Sequence, residues 1–364
     1  MKKFSVILSA MFLSVLLSGC NSWLIPKNTL NEVTDGDIQN TQFLGINVRS
    51  YKEKYEGSVL CYDTSLGLGL YTTRVKEATD YVSYLYLFDA NGAKVLFSGS
   101  NTYTEGFIDP YDGGIYFKEY NAASLSASGY KTTQEAVSKT TMTKEVVNRV
   151  LPWSVGKGIL YYVDSDNNLI RTDGISESVD HSFSTDASVR KIVYSPDNNI
   201  LFYTLVGSQK SSVLYRMDLA SYEAGAIDVN VSEFAVNEIS NSVVFLKTAG
   251  GHDQLYTYNI PTYLRTYLLT GDIDKIAVSY TGSYIAYCTK ITTELPSQSI
   301  WITTSSGDTA SQVTANITLG GNLVFVDTSK LIFSVGTTDS ANKETKETVY
   351  TIMELDYKLD YIKD

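Results

Sequence analysis

The sequence predicts an all-β protein whose body is a β-propeller of seven blades, with six or eight as the neighbouring counts. Three observations predict it. Long helical periodicity is scarce after residue 43, where short β-branched and aromatic runs alternate with Gly, Asn, Asp and Ser clusters. A unit made of a hydrophobic strand, a tight polar turn and a second hydrophobic strand recurs at a period near 40–45 residues. A hydrophobic–aromatic pair recurs in a second register further along each unit.

Residues 1–19 read as a secretory signal. Lys2 and Lys3 form a positive n-region, and the apolar run from Phe4 to Leu17 is too short and too early for an ordinary membrane span. The boundary is Leu17-Ser18-Gly19-Cys20. It resembles the bacterial lipobox, and the resemblance implies that Cys20 becomes the acylated N-terminus, carrying diacylglycerol and palmitate-type chains. At roughly 0.8 kcal/mol per buried methylene, two or three acyl chains anchor stably. Asn21 is not the aspartate that retains many lipoproteins at an inner membrane, which points to the outer membrane, on its periplasmic or surface face, or to the cell surface.

Residues 20–42 lack clear periodicity and include Pro26 and Gly36, so they are expected to tether the lipid to the body. The full chain carries 29 basic and 40 acidic side chains. Losing Lys2 and Lys3 takes the mature chain to −13. Anionic headgroups repel such a chain, so lipid and not charge is expected to hold it at the membrane. The same balance argues against a nucleic-acid groove, which needs clustered Lys and Arg.

Residues 43–364 are expected to form the propeller. The cleanest copies of the unit are 192–203 (IVYSPDNNILFY), 107–117 (FIDPYDGGIYF) and 276–287 (IAVSYTGSYIAY). Looser copies begin at Pro152, Phe234 and Leu323, and the most degenerate runs from Leu44 to Tyr62. Second-strand anchors at Val59, Ile115, Ile159, Ile200, Val243, Ile285 and Leu331 are spaced 56, 44, 41, 43, 42 and 46 residues apart. The second register reads Leu85-Tyr86, Leu169-Ile170, Leu214-Tyr215, Leu255-Tyr256, Ile300-Trp301 and Val349-Tyr350. Its first gap of 84 is two periods, so the unit after Ile115 has lost its copy. The Ser-, Thr- and Ala-rich stretch at 122–143 is read as an insertion or as irregular outer strands of that blade. The 28 tyrosines fit a stack of sheets, with rings packed between blades and hydroxyls reaching solvent or a carbonyl.

The Ser195-Pro196-Asp197 turn, followed by Leu214-Tyr215 and Asp218, resembles the WD-like repeat of TolB-type propellers, also found in the propeller domains of prolyl-oligopeptidase-like peptidases. Asn198 stands where that motif has glycine, and one copy alone keeps Ser-Pro-Asp intact. The resemblance implies a fold and leaves activity open, since propellers host unrelated functions.

Motifs that carry chemistry are scarce. His181 and His252, expected in loops, belong to no helical zinc pattern. No Gly-x-Ser-x-Gly elbow occurs, and Leu66-Gly67-Leu68-Gly69-Leu70 lacks the third glycine and the helix of a dinucleotide loop. Asp164, Asp166 and Asn168 place side-chain oxygens at calcium-loop positions one, three and five, but Leu169 and Ile175 occupy positions six and twelve. A polar hairpin turn accounts for the same residues. Cys61 and Cys288 are expected to be buried free thiols.

With no catalytic motif and no cofactor motif, the sequence reads as a non-enzymatic envelope lipoprotein. Its propeller would serve as a platform for other envelope proteins, and the resemblance implies envelope assembly or transport as context. The alternative is a surface propeller that binds or processes glycans or peptides, for which paired inward carboxylates about 5–9.5 Å apart would be the sign of a glycosidase.

Overall fold

The computed structural model describes residues 41–77, 80–136, 138–147, 151–208, 211–292, 297–338 and 348–363. The signal, Cys20 and the tether up to residue 40 lie outside the described residues. Strands and turns make up the described chain, with no helix among the described residues. The strands form seven antiparallel sheets, six of four strands and one of five. These are the seven blades.

Five blades are simple meanders, each strand pairing with the next in sequence, and in blade two both short outer pieces pair with the third strand. The innermost strands are Ser58–Asp63, Thr102–Ile108, Trp153–Gly156, Ser188–Ser195, Val231–Asn237, Ile273–Val278 and Leu319–Phe325. Blade seven is composite. Its first three strands are Leu319–Phe325, Lys330–Thr338 and Thr348–Lys363, and its outermost strand is Thr41–Glu56, from the opposite end of the body. This closing strand pairs antiparallel with Thr348–Lys363 from Thr41↔Lys363 to Glu56↔Thr351. The pairing runs on past Lys330, where the second strand begins, as a two-stranded ribbon. Ile46 and Val48 of the ribbon are buried against blade six, with Val313 and Ile317, and the Ile46 amide donates to Ser311 Oγ at 3.1 Å.

Closure explains the weakest repeat read from sequence. The Leu44–Tyr62 copy combines the last strand of blade seven with the first strand of blade one. Val59 therefore lies on an inner strand, and the second strand of blade one begins at Leu68. Counted from Leu68, the spacing to Ile115 is 47, in line with the rest. Gly57 makes the crossing between the two blades at φ +133°, where an added Cβ would come within 2.5 Å of the Thr72 carbonyl oxygen. Side chains cannot be accommodated there.

Blade two has a regular third strand, Ser126–Thr132, although its sequence gives little strand signal. Its outer position is filled by two short pieces, Thr140–Thr141 and Val146–Val147. Gly129 and Tyr130 stand where the other blades have a large hydrophobic residue and an aromatic. Tyr130 stacks on Phe117 at 5.6 Å, as Tyr215 does on Tyr203 at 5.2 Å in blade four. The leucine is missing because Thr143 and, from the next blade, Trp153 take its room, 2.9 and 3.1 Å from where a Gly129 Cβ would be.

The core is a series of layers between blades. Each layer combines one face of a blade with the facing side of the next, as in the cluster of Ile200, Phe202 and Leu214 with Phe234, Val243 and Phe245. Tyrosine fills the same layers. Tyr55 of the closing strand stacks on Tyr71 of blade one at 5.2 Å, and Tyr71 stacks on Tyr86 at 4.5 Å. Burial pushes Tyr116 and Tyr203 up to about 12.

Candidate functional site: two hollows on opposite faces

In an antiparallel blade, first-to-second and third-to-fourth turns share one end, here called the turn face. Second-to-third turns and the crossings between blades share the other, the crossover face. Each face carries a hollow of similar size.

The hollow on the turn face measures about 620 Å³ and is bounded by turns of six blades, from Asp63 and Ser65 of blade one to Tyr280 of blade six. Its turns are stitched to one another around the ring. The Gly158 amide donates to Asp109 Oδ2, linking blades two and three. Lys157 pairs with Asp197 at 2.6 Å, linking three and four. Ser195 Oγ and the Asp197 amide both donate to Glu238 Oε1, at 2.8 and 3.1 Å, linking four and five. Asn237 Nδ2 donates to the Ser279 and Tyr280 carbonyls at 2.8 and 3.0 Å, linking five and six. The Ser-Pro-Asp turn read from sequence is thus one stitch in this seam. Gly282 completes the contact between blades five and six at φ +74°, where a Cβ would lie 2.2 Å from Ser240 Oγ.

Large apolar side chains stand on the rim. Tyr111, Ile239 and Tyr280 are 72%, 52% and 47% exposed, with Pro110 and Pro196 between them. Four carboxylates, Asp63, Asp109, Asp197 and Glu238, line the hollow against one cation, Lys157. Donors fix the carboxylates in place: Asp63 accepts from Ser65 Oγ and the Leu66 amide, and Asp109 accepts from the Tyr111 amide.

On the crossover face, a hollow of about 630 Å³ lies among blades two, three and four. Its floor is a polar group inside an apolar layer. Lys118 is 4% exposed and its ammonium donates to Glu105 Oε1 at 2.6 Å, while Trp153 Nε1 donates to Glu105 Oε2 at 2.8 Å. The ammonium also lies 5.7 Å from the Trp153 ring centre. Burial pulls Lys118 below the usual lysine value, and the Glu105 carboxylate pushes back. Perturbed groups in a hollow mark sites worth testing. Arg190 and Asp164 also line this hollow, so its charges balance. Arg190 is exposed at a bulge of its inner strand, between Val189 and Lys191.

The residues singled out in the sequence are dispersed. Asp164, Asp166 and Asn168 form the second-to-third turn of blade three. Asp164 Oδ1 accepts from the Asp166 and Asn168 amides at 2.9 and 2.8 Å, and Asn168 Nδ2 donates to Asp164 Oδ2. Among the described residues no three His, Cys, Asp or Glu side chains gather as metal ligands would. His181 lies within the outer strand Glu177–Ser182 of blade three and not in a loop, packed edge-on against Phe183. His252 opens the third strand of blade five. Both body cysteines are free; Cys288 is fully buried, whereas Cys61 on an inner strand is only partly so. Burial pushes both thiols up to about 12. The rim residues went unnoticed in the sequence because turns are read for Gly, Asn and Asp. A tyrosine at the tip of two such turns, in Asp109-Pro110-Tyr111 and Ser279-Tyr280-Thr281, was the available signal.

The fold and the two hollows define the class: a seven-bladed propeller. No family model and no curated protein matches the sequence. Among solved structures, a puromycin hydrolase superposes with a TM-score of 0.59 at 12% identity. That match covers 85% of this chain and 52% of the enzyme, so this chain spans about half its length. A GH74 xyloglucanase from Xanthomonas campestris gives 0.55 at 11% identity, covering 85% of this chain and 55% of the other. TolB from Acinetobacter baumannii gives 0.46 at 13% identity, covering 82% of each chain. At these identities the likeness concerns the fold alone.

Proposed function

We propose that this chain is an exported envelope lipoprotein, anchored through acylated Cys20, whose propeller is a non-catalytic platform for envelope proteins. The observation that supports this best is the turn-face hollow. Six blades build it, large apolar side chains rim it, and its carboxylates are engaged by donors of the fold itself. A rim of exposed tyrosine and isoleucine around a rigid polar seam suits a protein contact. Exposed Tyr111 and Tyr280 also suit a sugar ring, and glycan binding is the second reading.

Crosslinking in the native envelope followed by affinity isolation tests the platform. A stoichiometric protein partner is expected, and repeated recovery of the chain alone would count against it. A glycan array separates the second reading, since specific glycan binding with turnover would replace the first. Cys20→Ala is expected to abolish labelling by a fatty-acid probe and to release the protein from membranes. Persistent labelling would refute the anchor.

A further inference from the structure

We infer that the turn-face hollow takes an extended, Lys- or Arg-bearing segment of a partner protein. The inference deepens the platform reading above and rests on it. Charge argues first. Asp63, Asp109, Asp197 and Glu238 face the hollow against Lys157, which Asp197 already holds. Turn amides and hydroxyls hold the Asp63, Asp109 and Glu238 carboxylates in place, and Lys157 holds that of Asp197. The fixed negative field therefore persists until a cation enters it. The opposite hollow, with Glu105 and Asp164 against Lys118 and Arg190, has no such bias.

The rim argues next. Tyr111 and Tyr280 offer ring faces on which the stem and head of a basic side chain can lie. The fold makes this contact repeatedly within itself: Arg216 lies 4.6 Å from the Tyr263 ring centre, Arg74 lies 4.7 Å from that of Tyr81, and Lys139 lies 4.2 Å from that of Tyr130. A volume near 620 Å³ falls within the range of specific ligand sites and admits a few residues of extended chain. A phosphate-bearing ligand or an anionic membrane would meet four carboxylates, and a neutral glycan would leave them uncompensated.

The test uses the full lipid-anchored chain in its native envelope. A photocrosslinking amino acid replaces Tyr111 or Tyr280, and in a parallel sample Leu125 on the crossover face. Crosslinked peptides are sequenced. Adducts at positions 111 and 280 to a protein segment bearing Lys or Arg within a few residues are expected. Asp63→Asn combined with Asp197→Asn keeps the turn acceptor at position 63, gives up the exposed Lys157–Asp197 pair and removes two charges. The pair is expected to cut those adducts at least fivefold, with the melting temperature and the adducts at position 125 unchanged. Adducts to lipid, to the chain's own residues 21–40, or to acidic or uncharged segments would overturn the inference, as would an unaltered yield in the Asn pair. Protein adducts at position 125 alone would sink the inference and leave the platform standing. No protein adducts at any of the three positions would sink both.

Discussion

At the scale of single residues, the buried charges decide how the fold responds to pH and substitution. Asp228 has a side chain 5% exposed and pairs with Lys247 at 2.6 Å and Arg265 at 2.8 Å. Burial alone would raise its pKa, but Lys247, the Val229 amide and Arg265 outweigh burial and hold it below the usual 3.8. A carboxyl with a depressed folded pKa binds fewer protons folded than unfolded across that interval. Its stabilisation is complete above pH 3.8 and is lost as pH falls through the depressed value. Asp228→Asn is therefore expected to cost about 1.5–3 kcal/mol at pH 7 and to flatten the acid limb of the stability profile below pH 4, measured by urea unfolding at a series of pH values. Lys118 poses the complementary case. Glu105→Ala leaves its buried ammonium without a carboxylate and is expected to cost about 3 kcal/mol. Combining Glu105→Leu with Lys118→Met should restore most of that stability, and a double-mutant cycle gives the coupling. An additive cycle would mean that the pair does not act as a unit.

At the scale of the element, the closing strand carries more than its length suggests. It seals blade seven by pairing, blade six through Ile46 and Val48, and blade one through Tyr55. Tyr71, 4% exposed under Tyr55 and Tyr86, is the residue where the seam can be loosened without touching the pairing. Tyr71→Ala is expected to lower stability by about 3–5 kcal/mol and to speed hydrogen exchange first in residues 41–56. Exchange rising evenly over all blades would contradict a local seam. The sequence was legible wherever one blade repeats another, because strand, turn and strand lie within a dozen residues and their hydrophobic spacing is local. Ile200, Val243 and Ile285 fall on second strands as read. Val59 was misplaced because its blade follows a strand lent to the blade at the far end of the body, a relation of some 300 residues that no local period contains. Gly129 was opaque for a similar reason: its space is filled by Thr143, 14 residues on, and by Trp153 of another blade. The site was less legible than the fold. The motif Ser195-Pro196-Asp197 was visible, but its partner Glu238 lies one blade on, and the rim assembles only when six turns are brought together.

At the scale of the whole molecule, both faces leave large apolar side chains exposed, Leu125 and Ile291 on second-to-third turns of the crossover face among them. Among the large apolar side chains left exposed, Leu66, Tyr111, Ile239 and Tyr280 stand on first-to-second turns, and Ile175, Tyr263 and Leu264 on third-to-fourth turns. The closing strand also enters the ring at this face, at Thr41 beside Lys363. Tyr263 adopts φ +61°, a costly backbone for a bulky residue, and so covers Arg216 of the preceding blade. Tyr263→Asn is expected to relax the backbone while losing the ring contact, leaving stability within about 1 kcal/mol of the parent in thermal unfolding. A loss well beyond this would show that the ring contact dominates the strain.

The composite blade also sets an order of events. The strand Thr41–Glu56 is synthesised before the rest of the body, yet its pairing partner, Thr348–Lys363, comes last. The ring cannot lock until both have been made. The other six blades can form as they emerge, each from local contacts, while the earliest strand waits with an open edge. During that interval it is a target for stray pairing and for proteolysis. A circular permutant in which residue 363 runs on into residue 41 through a short linker would make that pairing local. It is expected to refold faster than the parent at the same final stability, and equal refolding rates would show that closure is not the slow step.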